Sequence, residues 1–125
     1  MFEAKLVRKG KTDILHLRGE LVIDTVSKLK GIMMKLEEGD GKTHSANPLV
    51  VDMSGLKFVD SYGVSFLVSL KFKLKGRRIA LAGPNHHVRN VLVRLFVMDQ
   101  FTVCKSVKGA LRAVGGTASG IGGAV

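Results

Sequence analysis

Along "DILHLRGEL", residues 13–21, Ile14, Leu15, Leu17 and Leu21 are interrupted by His16, Arg18 and Glu20. A period near two belongs to a strand with one buried face. The preceding "EAKLVRKG", residues 3–10, ends at Gly10-Lys11, so the two segments are expected to pair as a hairpin. The period then changes. Across residues 24–38, Val26, Leu29, Met33 and Leu36 recur three or four apart, which predicts an amphipathic helix, with Asp24 or Thr25 to accept its first free N–H groups. The polar "GDGKTHSAN", residues 39–47, reads as a loop closed by Pro48. "LVVDM", residues 49–53, is a short apolar run of the kind buried on both faces of a mostly parallel sheet, and its length and paired valines favour strand over helix.

Helical spacing returns after Gly63, where Val64, Leu67, Val68 and Leu74 share one face. The chain therefore turns from strand to helix at Asp60-Ser61. "RRIALAG" (77–83) reads as a further strand, and "PNHHVRNVLVRLFV" (84–97) as a helix capped by Asn85 with Val88, Val91, Leu92, Leu95 and Phe96 on one stripe. "FTVCKS" (101–106) is expected to be the last strand and "VKGALRAV" (107–114) a short last helix. Strands separated by helix-length crossovers pair in parallel through right-handed connections. The expected fold class is α/β: a mixed, mostly parallel sheet of four to five strands flanked by about four helices. The domain should span residues 1–114, leaving 115–125, with five glycines in eleven residues, as a mobile tail.

A chain of 125 residues, 46% apolar and 24% charged, fits one globular domain and excludes a disordered one. The single Cys104 cannot form an internal disulfide, no cleavable apolar leader follows Met1, and no run approaches the ~18 apolar residues of a membrane span. A cytoplasmic protein that does not insert into membranes is expected. The net charge of +10 raises nucleic acid as a partner. Yet the basic residues are spread from Lys5 to Arg112, no Trp and one Tyr are present for stacking, and no nucleic-acid motif is found. A solvated basic surface or an acidic protein partner fits better.

In an open α/β sheet the loops leaving the carboxyl ends of parallel strands collect functional groups, and the next helix opens with free N–H groups and a partial positive charge. Asp60 and Ser61 fall at such a junction. Either they cap the helix, or Ser61 is an exposed phosphoacceptor whose modification adds about −1.5 to −2 charges beside Asp60. Phe66 and Leu70, four apart and beside the Val64-Leu67-Val68 stripe, either offer an apolar patch to a partner near Lys57, Lys71 and Lys73 or pack under a neighbouring helix. The adjacent His86 and His87 cannot share a helix face and have no Cys or carboxylate at ligand spacing, so they read as surface or capping residues, and no metal is expected. Cys104 reads as a buried apolar filler. Ser61 has no neighbouring His and no Gly two residues before it, and "AGP" and "GDGK" lack the spacing of a phosphate-binding loop. No catalytic residue, cofactor or enzymatic activity is expected.

The segment "VVDMSGLKFVDSYGVSFL", residues 50–67, resembles the signature of the STAS domain, found in bacterial anti-sigma factor antagonists and at the cytoplasmic end of sulphate transporters. "LHLRGEL" resembles the family's strand and Gly-Glu-Leu entry to its first helix, and "RIALAGPNHHVRNVLVRLFVMDQFTV" its strand, helix and closing strand, so the similarity covers about residues 2–114. This resemblance implies a regulatory module that binds partners and catalyses nothing. In the antagonists the serine after the motif's aspartate is phosphorylated by an anti-sigma factor with serine kinase activity, and a serine phosphatase restores it. The matching residue is Ser61, within the motif Asp60, Ser61, Tyr62, Gly63. Unphosphorylated, such a protein captures the anti-sigma factor and frees the sigma factor; phosphorylated, it lets go. Two positions depart from the pattern: Tyr62 stands where a small residue is common, and Val22 where an aspartate often follows Gly-Glu-Leu. The alternatives are a STAS-type accessory subunit of a membrane transporter or lipid-transport ATPase, and a basic nucleic-acid-binding domain.

Overall fold

Strands β1 (Phe2–Lys9) and β2 (Thr12–Leu21) form the expected hairpin, paired antiparallel from Phe2 opposite Gly19 to Lys9 opposite Thr12. Its turn places Gly10 at φ 63°, in the left-handed region that glycine enters without a Cβ clash. The computed structural model describes residues 1–38 and 47–115. The loop read at 39–47 lies almost wholly outside the described residues, and the tail lies outside them beyond Gly115.

Helix α1 (Lys30–Glu38) starts later than the spacing predicts, after a turn at residues 23–25 and a single 3-10 turn at Val26–Leu29. Thr25 does not cap it. Its Oγ1 instead accepts from the Val22 N–H at 2.9 Å and donates to the Glu20 carbonyl at 2.6 Å, which folds the loop after β2 back on itself. Strand β3 (Leu49–Val59) runs well past Met53, because residues 55–59 continue to pair with the end of β2 through two register irregularities although their apolar alternation is broken. There follow α2 (Ser61–Lys73), β4 (Ile79–Ala82), α3 (His86–Arg94), β5 (Thr102–Cys104) and α4 (Val107–Gly115).

The sheet order is β1-β2-β3-β4-β5, with β2 to β5 parallel and β1 antiparallel. This is the mixed, mostly parallel α/β sheet with four helices that the sequence predicts. Each crossover steps one strand in the same direction, so α1, α2 and α3 share a face. Their core includes Leu29, Met33, Leu67, Leu70, Val88 and Leu92 against Leu15, Val51 and Met53 of the sheet. On the other face α4 sets Ala110 and Val114 against Ile14, Val50, Ala80 and Ala82, the two alanines being small enough to let a helix approach closely. A fully buried leucine such as Leu67 contributes roughly 1.5–3 kcal/mol.

Two features correct the sequence reading. The α3 stripe stops at Leu92: Phe96 leaves the helix, with φ 59° and 87% of its surface exposed. Cys104 is half-buried at the edge of the α4 core, not sealed within it. An unexpected element is buried Arg77. Its guanidinium bonds the Asp13 carboxylate at 2.6 Å, the Leu36 carbonyl at 3.0 Å and the Asn47 carbonyl at 2.5 Å, tying the start of β2 to the end of α1 and to the segment entering β3.

Candidate functional site

The end of β3 sits beside the end of β2, Val59 opposite Leu21, so the chain leaving β3 emerges next to the loop that leaves β2. Asp60 joins the two. Its Oδ1 accepts the Gly63 N–H at 2.9 Å, the N-cap bond of α2, and its Oδ2 accepts the Ile23 N–H at 3.0 Å. The cap is therefore Asp60 and not Ser61. Among the described residues the Ser61 hydroxyl makes no hydrogen bond, and Ser61 is exposed on the first turn. Gly63 is buried under this junction, where a Cβ would collide with the Leu21 carbonyl oxygen and stand 2.5 Å from Val59 Cγ2. Tyr62, next to Ser61 in the chain, is 54% exposed.

Of the two side chains read as a patch, Leu70 is 0% exposed and belongs to the core, so it presents nothing to a partner. Its place on α2 falls on the sheet-facing side, which the stripe Val64-Leu67-Val68 does not fully define. Phe66 is half-buried in a cleft of about 320 Å³ between α1 and α2, together with Val26, Met33, Met34 and Ser69. A second cleft, of about 340 Å³, opens on the opposite flank of α2 and is lined by Ser61, Val64, Ser65, Val68, Leu95 and Val97. Ser61 thus stands at an apolar cleft, with Ile23, Tyr62 and Leu95 exposed nearby in the structure. No residue from Asp60 to Leu70 other than Asp60 carries a charge, in a chain whose charged fraction is 24%. An uncharged, partly exposed helix face suits contact with another protein better than open water.

The serines around the motif differ. Ser54 Oγ donates to Asp52 at 2.7 Å and Ser69 Oγ to the Phe66 carbonyl at 2.6 Å, whereas Ser61 and Ser65 have no such bond among the described residues. Asp52 also holds His16, whose Nδ1 lies 2.6 Å from its Oδ2. Burial pushes the Asp52 carboxyl up, but the Ser54 hydroxyl, the Ser54 N–H and His16 together outweigh it and hold the group below its usual range. This cluster escaped the sequence reading. A lone Asp inside "LVVDM" signals a partnered carboxylate, but the register that sets it opposite His16 is not visible in the sequence. His86 faces Asn90 at 3.3 Å and His87 lies against the Phe58 ring at 5.2 Å, both exposed. Among the described residues no group of three or more His, Cys, Asp or Glu is placed to hold a metal ion, and no helix is long and apolar enough to cross a membrane.

Comparison with known proteins identifies the fold. The family model described as "Mlab, STAS domain" matches residues 4–103. Among solved structures, an anti-sigma factor antagonist from Mycobacterium paratuberculosis is 19% identical with a TM-score of 0.80, over 91% of this chain and 94% of that one. The Bacillus cell fate determinant SpoIIAA in its phosphorylated form is 20% identical with a TM-score of 0.65, over 91% and 99%. A sulfate transporter family protein from Wolinella succinogenes is 17% identical with a TM-score of 0.69, over 86% and 88%. At these identities the structures establish a shared fold. A search of curated proteins finds none that matches the chain.

Proposed function

The chain belongs to the STAS domain family, and from that premise we propose that it is a non-catalytic regulatory protein, an anti-sigma factor antagonist switched off by phosphorylation of Ser61. Its partners on this reading are an anti-sigma factor with serine kinase activity, which it captures when unmodified, and a serine phosphatase that restores it. It needs no cofactor and works in the cytoplasm. The observation that carries the reading is the Ser61 hydroxyl: exposed, free of intramolecular bonds, on the first turn of α2, and at the edge of an apolar cleft. The N-terminal end of a helix favours added negative charge, and a phosphate there changes the surface a partner meets without disturbing the core. The similar fold of a phosphorylated SpoIIAA supports it.

Incubation with ATP and the cognate anti-sigma kinase, followed by peptide mass spectrometry, is expected to place the phosphate on Ser61. Modification mainly at Ser54, Ser65 or Ser69 would sink the assignment.

A second reading, an accessory STAS subunit of a membrane transporter or lipid-transport ATPase, is favoured by the likeness to a sulfate transporter family protein and by the bulk of Tyr62 beside Ser61. On that reading the same face of α2 docks on the transporter and Ser61 takes no phosphate. Co-purification with a transporter subunit, with Ser61 unmodified in growing cells, distinguishes it.

A further inference from the structure

Among the described residues Phe96 is the one non-glycine with a left-handed backbone, φ 59°, and at 87% it is the most exposed of the large apolar side chains. It lies just beyond the end of α3. The Phe96 N–H bonds the Val93 carbonyl and the Val97 N–H bonds the Leu92 carbonyl, each at 3.1 Å. These are the paired bonds of a Schellman turn, whose left-handed position is usually glycine. A β-carbon there strains the backbone, and a ring left in water gains nothing from folding. Neither the turn nor the core accounts for a phenylalanine at this position. Its two neighbours, Leu95 and Val97, form one wall of the cleft whose other wall is Ser61, Val64, Ser65 and Val68.

We propose that Phe96 is the anchor of an interaction surface continuous with the Ser61 cleft, and that its occupant is an apolar segment of the anti-sigma partner flanked by acidic residues. This rests on the function proposed above. Charge selects the occupant. The chain carries +10, and α3, which leads into the Phe96 turn, carries exposed Arg89 and Arg94 and no acidic residue, Asp99 of the following 3-10 turn being the nearest acid after it in sequence. A second copy would bring basic surface against basic surface, whereas an acidic partner is drawn in. A rigid aromatic beside a concave apolar cleft is the arrangement in which a few side chains dominate binding.

Phe96→Gly and Phe96→Asn both suit the left-handed turn. Each is expected to raise the melting temperature by a few degrees, glycine the more, while weakening calorimetric binding to the purified anti-sigma kinase by about tenfold or more. Unchanged binding in Phe96→Gly overturns the inference alone if the kinase still phosphorylates Ser61. A lower melting temperature in both variants also overturns it, because the ring would then serve the fold. Binding to vesicles containing anionic lipid that is lost in Phe96→Gly, with kinase binding intact, assigns the ring to a membrane surface and rejects the protein occupant. A parent chain that neither binds the kinase nor is phosphorylated at Ser61 removes the functional reading and this inference together.

Discussion

Asp60 uses both carboxylate oxygens, one on the Gly63 N–H at the start of α2 and one on the Ile23 N–H in the loop after β2. One short side chain therefore closes a helix and fixes the loop beside it, which is why an aspartate precedes the serine. Truncating it removes a cap, worth ~1 kcal/mol, and strands a second donor. Asp60→Ala is expected to cost about 2 kcal/mol in denaturant melts, with Asp60→Asn recovering part of the loss. Ser61 carries none of this burden. Ser61→Ala should alter stability by less than ~0.5 kcal/mol, as for an ordinary surface substitution. Equal losses in Asp60→Ala and Ser61→Ala would show that the cap had been assigned to the wrong residue. Freed from capping, the Ser61 hydroxyl is left exposed, so under the proposed function a phosphate there would leave the Asp60 cap of α2 in place.

Arg77 plays the corresponding part between elements, joining β2, α1 and the entry to β3 through one buried guanidinium. Its side chain and that of Asp13 are 2% and 8% exposed, so removing Arg77 leaves the buried Asp13 carboxylate to the half-exposed Arg8 and strands the Leu36 and Asn47 carbonyls. Arg77→Met is expected to destabilise the fold by about 3–5 kcal/mol, read by urea unfolding. A loss under ~1 kcal/mol would mean that Arg8, which also bonds Asp13 at 2.9 Å, suffices to hold it. Nothing in "KGRRIALAG" distinguishes Arg77 from Arg78, because the pairing partner lies 64 positions away. The elements themselves were legible. Period-two spacing located β2, the shift to three- and four-residue spacing located α2 and α3, and Asn85 caps α3 as expected through the Val88 N–H at 2.8 Å. Reading failed where long-range pairing overrides local pattern. β3 continues to Val59 because β2 is there to receive it, α1 begins late because Thr25 bonds its own loop, and Leu70 turns inward because α2 is covered on more than one stripe. The motif's position was visible in advance; the clefts that flank α2 were not, since one is completed by α1 and the turn before it and the other by the turn after α3, both distant in sequence.

The whole chain carries +10, a field that draws an acidic partner and that salt weakens. A phosphate at Ser61 adds about −1.5 to −2 charges, leaving a chain still close to +8. The long-range attraction is thus nearly unchanged by the switch, and any control must act at contact. There the numbers are larger. A new charge ~5 Å from a partner carboxylate, at an effective dielectric of ~20, costs about 3 kcal/mol per charge pair, more than a hundredfold in affinity. Ser61→Asp, with a single charge, is expected to weaken partner binding by at least about tenfold through faster dissociation, while the association rate stays within about twofold and falls with salt as the parent's does. Its melting temperature should barely move, because the first turn of a helix tolerates a negative group. Stopped-flow binding at two ionic strengths separates the terms. If Ser61→Asp instead slows association and leaves dissociation alone, the modification acts through the overall field and the contact mechanism fails; if it binds like the parent, Ser61 is no switch.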